Sequence, residues 1–164
     1  MQNDPQWNPW RGLIAGAVGG LIASFAMSQF HSLFQKAESS PERGKEDSTV
    51  KAASAVSRTI FRHELTPRQK KLAGPTVHYG FGASVASIYG TAVEAAPVLR
   101  TGWGMPFGVA VWLGAHVITV PALGLSEPVT ATPPREEATE FCAHLVYGAV
   151  AEGIRRLLRT HVFR

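Results

Sequence analysis

Gly12–Gln35 reads GLIAGAVGGLIASFAMSQFHSLFQ, 24 residues with no Asp, Glu, Lys or Arg. As a helix it is about 36 Å long, enough to cross a hydrocarbon core of about 30 Å with some tilt. Gly12, Gly16, Gly20, Ser24, Ser28 and Ser32 recur at steps of four. Small residues at that spacing let a second helix backbone come close in lipid, where close packing rather than hydrophobic burial holds helices together. The stripe winds slowly round the helix and suits a partner crossing along the four-residue ridges.

Two further uncharged blocks follow, Leu72–Val93 and Thr101–Ser126. The second block carries Gly82, Ala86 and Gly90, with Gly80 and Ser84 in a parallel row. The third opens with Gly104 and Gly108. The chain therefore reads as an all-α integral membrane helical bundle, a single membrane domain over residues 1–164. Its hydrophobic helices fall at about 12–35, 72–95, 104–123 and 138–158, with a polar loop at 36–71. Mean hydropathy of +0.02 conceals this division into apolar blocks and polar stretches. Arg11 with Ser24-Phe25-Ala26 makes a poor signal-peptide pattern, and the apolar run continues beyond it.

The polar loop carries nine Lys/Arg and five Asp/Glu. Its first half, KAESSPERGKEDS, reads as exposed and flexible. Its second half predicts an amphipathic helix from about Ser48 to Arg62. Val50, Ala53, Val56 and Ile60 share an apolar face, and Lys51, Arg58 and Arg62 a basic one. Such a helix suits an anionic lipid surface or solvent equally. Thr66-Pro67 reads as an N-cap and first helical residue. Pro75 predicts a kink, Pro121 a helix end and Pro133-Pro134 an irregular loop. Trp7, Trp10 and Trp103 precede apolar blocks, as tryptophans of one membrane interface do.

The last segment, about Glu136 to Arg159, has two readings. Phe141, Leu145, Ile154 and Leu158 can share one face, with His144, Glu152, Arg155 and Arg159 near another. It is either a short fourth span or an amphipathic surface helix. With three spans the Lys/Arg split is 14 against two; with four it is ten against six. The positive-inside rule favours the larger asymmetry, and in both cases places loop 36–71 in the cytoplasm and the N-terminus outside. The stretch Tyr147-Gly148-Ala149-Val150 suits packing inside a bundle. A weak echo points the same way: Val77-His78-Tyr79-Gly80 against Ala143-His144 with Tyr147-Gly148, and Gly12/Gly16 against Gly104/Gly108.

LTPRQKKLAGPTVHYGFGASVASIYG, GWGMPFGVAVWLGAHVITVPALGLS and AHLVYG, in this order, resemble the YagU-like bacterial inner-membrane proteins. The likeness runs from Gly12 to about Leu158 and omits 36–48. It implies an inner-membrane helical bundle and carries over no catalytic residue or cofactor.

His31, His78, His116 and His144 all fall in the half of the bilayer nearest the 36–71 loop. Ionisable groups at membrane depth are expensive and mark function by default. Three readings stay open: hydrogen-bonded packing, a pH-responsive or proton-handling site, and a metal or haem site with Glu140 as an added ligand. No cofactor is otherwise expected. Glu94 reads as solvated, and Glu152 with Arg155 or Arg156 as a weak surface pair. Cys142 is the single cysteine, so the chain forms no internal disulfide, and nothing marks it as a nucleophile. GFGASVASIYG lacks the Lys-Ser/Thr of a phosphate loop. Arg68, Lys70, Lys71, Arg155 and Arg156 sit at membrane edges and are assigned to anionic headgroups rather than nucleic acid. The resulting expectation is a non-enzymatic structural or accessory component, self-associating or joining a larger complex through Gly12, Gly16, Gly20, Ser24, Ser28, Gly82 and Gly90. The runner-up is a pH-responsive or metal- or haem-binding carrier or channel-like element built on the histidines.

Overall fold

A computed structural model describes residues 8–37 and 48–163. Trp7, with its expected interface role, and the loop stretch 38–47, with its expected flexibility, lie outside them. The described residues are helical with connecting turns and contain no strand. Helix α1 is Pro9–Ala37 and α2 is Ser48–Val56, followed by a π turn, Ser57–Phe61. Helix α3 is Pro67–Ala95. Helix α4 runs over Met105–Ala122, and α5 is Pro134–His161.

Local chemistry sets the ends. Thr66 caps α3 through Gln69 N–H, and the Gln69 side chain reaches back to Thr66 N–H, a reciprocal capping box. Pro75 lies inside the unbroken α3. Pro134 starts α5 instead of preventing structure: at the first helical position its missing N–H would have no partner anyway. Pro121 does not break α4, which ends one residue later before Gly124 in the left-handed region. The preceding turns, Trp112–Thr119, widen into a π-helix, with Thr119 Oγ1 donating to Gly114 O at 2.6 Å. A wider turn relieves the clash between a proline ring and the carbonyl four residues back.

Helix α1 is central. Gly12, Gly16 and Gly20 meet Gly90, Ala86 and Gly82 of α3 in reverse order, so the two stripes close on each other antiparallel. A neighbouring row on α1, Ala15, Gly19 and Ala23, is buried too, and Gly19 faces Ala151 of α5. Helix α5 is antiparallel to α1: Arg11 Nη1 bonds Phe163 O at 3.1 Å at one end, and His31 approaches Glu140 at the other. Helix α4 packs on α5, Gly104 and Gly108 against Gly148 and His144. The four long helices thus alternate in direction, as two hairpins.

This packing bears on one expectation and on one choice between two readings. The small-residue stripe does not protrude towards another molecule; α3 occupies it. Helix α5 is not a surface helix. Its polar face, with His144, Glu152 and Arg155, is the buried one, alongside Ala143, Tyr147, Gly148 and Ala151, while Phe141, Leu145, Ile154 and Leu158 are only half-buried. Helix α2 lies on the start of α3, Val50 against Gly74, while Val56 and Ile60 stay exposed.

The core is built of small residues: Ala15, Ala23, Ala86, Ala143 and Ala151 are buried with Met27, Tyr89, Val93 and Tyr147. The exterior carries Leu13, Ile14, Leu21, Ile22, Phe25, Phe81, Ile88, Leu113 and Ile118. A water-soluble bundle does the reverse. Pro9–Phe34 and Met105–Ala122 are long and apolar enough to cross a membrane.

Candidate functional site

Two polar clusters occupy opposite ends of the bundle. The first joins the C-terminal halves of α3 and α5. Glu152 is wholly buried, and its carboxylate accepts from Arg155 Nε at 2.6 Å, Arg155 Nη2 at 2.9 Å, Arg156 Nε at 2.5 Å and Tyr89 OH at 3.1 Å. Glu94 accepts two bonds from Arg159, both at 2.7 Å, and lies 3.8 Å from Arg155 Nη1. Arg156 also bonds Arg100 O at 2.7 Å and covers the Trp103 ring at 4.5 Å. Trp103 has φ 55 between Gly102 and Gly104, both at φ 75, so the α3–α4 turn presents its ring to Arg156 from a backbone that side chains rarely adopt.

Three expectations change here. Glu94 is nearly buried and doubly bonded, not solvated. Glu152 is not half of a weak surface pair, because two arginines and a tyrosine converge on it out of solvent. Arg155 is buried against carboxylates and cannot hold a lipid headgroup. Arg156 is partly exposed, and Arg68 and Lys71 are exposed at the start of α3, with Lys70 half-buried. Trp10 and Trp103 are both exposed at this cluster's end of the bundle, at the start of α1 and just before α4.

The second cluster gathers the four histidines at the opposite end. His31 Nδ1 of α1 lies 3.6 Å from Glu140 of α5. His116 Nε2 of α4 lies 3.1 Å from Glu137 of α5. His78 of α3 places Nε2 at 3.2 Å from Ser24 O and 3.4 Å from Ser28 Oγ. His144 is buried among them, its Nδ1 2.8 Å from Glu140 O and its ring 6.0 Å from that of His116. A carbonyl only accepts, so His144 carries its proton on Nδ1 and His78 on Nε2. Each of these four histidines therefore ties two elements together or anchors in backbone at their junction.

Sequence depth alone places these four at one level. It does not give their carboxylate partners, although Glu137, Glu140 and His144 follow each other at helical spacing on α5. Among the described residues, no three His, Cys, Asp or Glu side chains are grouped to hold a metal ion. Cys142 is exposed and outside the cluster.

A model of a family described as a protein of unknown function (DUF1440) matches residues 53–153. The chain belongs to the DUF1440 family. No curated protein and no solved structure matches it. The DUF1440 match spans α3, α4 and most of α5. It thus includes His78, His116 and His144 with Glu137, Glu140 and Glu152, while α1 with His31 lies outside it.

Proposed function

We propose that this DUF1440 protein is a four-span protein of the bacterial inner membrane that acts without catalysis, as a proton-responsive element. The carrying observation is the convergence of His31, His78, His116 and His144 with Glu137 and Glu140 at one end of the bundle. Imidazole changes charge in the pH range cells experience. Proton uptake turns the His116–Glu137 and His31–Glu140 contacts into full ion pairs, which tighten α4 and α1 onto α5. The stripe of Gly12, Gly16 and Gly20, which would otherwise argue for self-association, has its partner within the chain.

Trp112 supplies a readout. Its ring stacks on His116 at 6.4 Å and meets Phe141 of α5 edge-on at 5.0 Å. In a variant with Trp7, Trp10 and Trp103 changed to Phe, Trp112 emission is expected to change on acidification. His116→Gln should remove the transition, and Glu137→Gln should shrink it with both rings retained. Flat emission, or a transition indifferent to both substitutions, would overturn the proposal.

Lipid setting and orientation rest on separate support. The inside-out distribution of large apolar residues suits lipid, and the YagU-like resemblance points to the inner membrane. Of six Lys/Arg on the terminal side in a four-span arrangement, Arg155, Arg156 and Arg159 are tied to Glu152 and Glu94. The remaining charge supports a cytoplasmic 36–71 loop, with anionic headgroups proposed against Arg68 and Lys71 beside Lys70. A C-terminal reporter that works only in the cytoplasm should be silent, since Phe163 meets Arg11 at the end of the bundle opposite the start of α3. An active one would put that end of the bundle in the cytoplasm and overturn this orientation.

A further inference from the structure

A cleft of about 60 Å³ opens between α3 and α4, beside the histidine cluster. Ser24, His78, Phe81, Val111 of α4, His144 and Tyr147 line it. Phe81 is half exposed, while Ser24, Tyr147 and His144 are each more than nine-tenths buried.

Its hydrogen bonding is incomplete in a specific way. Ser24 Oγ is buried and has no hydrogen-bond partner among the described residues. Leaving such a hydroxyl unpaired costs about 1–3 kcal/mol. His144 donates its Nδ1–H to Glu140 O, so Nε2 holds the ring's lone pair. Tyr147 donates to Gly82 O at 2.6 Å, which leaves its oxygen lone pairs as acceptors. The residues lining the cleft thus carry two acceptors and a hydroxyl, around a volume several times the roughly 10–15 Å³ that a water needs.

We propose that this cleft holds water, and that this water carries the proton to His144. The inference deepens the proton-responsive reading and rests on it for its role, though not for its chemistry. A proton passes from cleft water to His144 Nε2 and leaves a neutral or hydroxide-bearing water chain that re-equilibrates with solvent. Nδ1–H stays on Glu140 O, giving the imidazolium two N–H bonds. The charged and titratable groups that face His144 are His31 from α1, His78 from α3, His116 from α4, and Glu140 and Glu137 from α5. Arrival of a proton there adds a positive charge among the other three imidazoles, so His144 is the member whose charging opposes the tightening driven by His116 and His31.

Exchange of the histidine C2 hydrogen into D₂O, read by mass spectrometry on the protein in lipid nanodiscs, tests this directly. Water must reach the ring for that hydrogen to exchange. His144 is expected to exchange despite its burial. Val111→Phe, which narrows the cleft from the α4 side, should suppress exchange at His144 and leave exposed His63 and His161 unchanged. Ser24→Ala, which removes the anchoring hydroxyl with little change of shape, should slow it less. Retention of the His144 hydrogen in the native protein while His161 exchanges would overturn the inference. So would an unchanged rate in both variants, which would bring water from elsewhere. A flat Trp112 titration together with exchange at His144 would sink the proton-responsive reading and leave the hydrated cleft standing.

Discussion

Glu152→Ala should destabilise the bundle more than any other single truncation of a side chain. The carboxylate is wholly buried and accepts four bonds from Arg155, Arg156 and Tyr89. Its removal leaves Arg155, only 4% exposed, with Glu94 at 3.8 Å as its nearest carboxylate. Breaking a buried pair from one side costs about 3–5 kcal/mol, because the surviving charge stays out of solvent. Arg155→Met should cost less, since Glu152 keeps Arg156 and Tyr89. Joining it to Glu152→Leu should recover much of the loss, as buried pairs are often replaceable by apolar residues of similar volume. Thermal unfolding in mild detergent orders the variants. A native-like midpoint for Glu152→Ala would show that Glu152 is not the keystone of this end.

Glu152, Arg155 and Arg156 stand at helical spacing, the usual look of a solvated surface pair. In water the buried face of a helix is its apolar face, and on that rule Phe141, Leu145, Ile154 and Leu158 would point inward. Here the buried face is marked by small residues: Ala143, Gly148 and Ala151 share it with His144 and Glu152. Small-residue periodicity is the packing signal in lipid, and on α5 it pointed the right way while hydropathy did not. On α1 and α3 the same signal was legible, because both helices carry it at steps of four and the two rows fit each other.

Other features had unequal signals. The Thr66-Pro67 start was readable from a capping side chain and a proline that needs no N–H partner. The common level of the four histidines followed from counting residues along alternating helices. Their pairing with Glu137 and Glu140 did not, because it depends on the rotation of α5, which its apolar residues misreport. The π turns of α4, the left-handed Trp103 and the cleft between α3 and α4 arise only from tertiary packing.

The close approach of α1 to α3 leads to a sign reversal that propensity alone would miss. Glycine inside a helix is ordinarily worse than alanine by about 0.5–1 kcal/mol. Gly80→Ala should therefore stabilise α3, because a methyl there meets nothing within 4 Å. Gly16→Ala should do the opposite. Its methyl would overlap the Ala86 carbonyl and stand 2.9 Å from Ser87 Cα, both backbone atoms that cannot swing aside. Overpacking of this kind costs about 1–3 kcal/mol, so the net effect is a clear loss despite the better helix former. Gly90→Ala strikes the same interface from the other side, against Gly12. Combining it with Gly16→Ala should cost less than the two losses added, because either methyl alone already forces the helices apart. Thermal midpoints for these variants and Gly80→Ala separate the cases. If Gly16→Ala matched Gly80→Ala in sign, α1 and α3 would not meet at the Gly16–Ala86 contact, and the stripe would again be free to engage a second molecule.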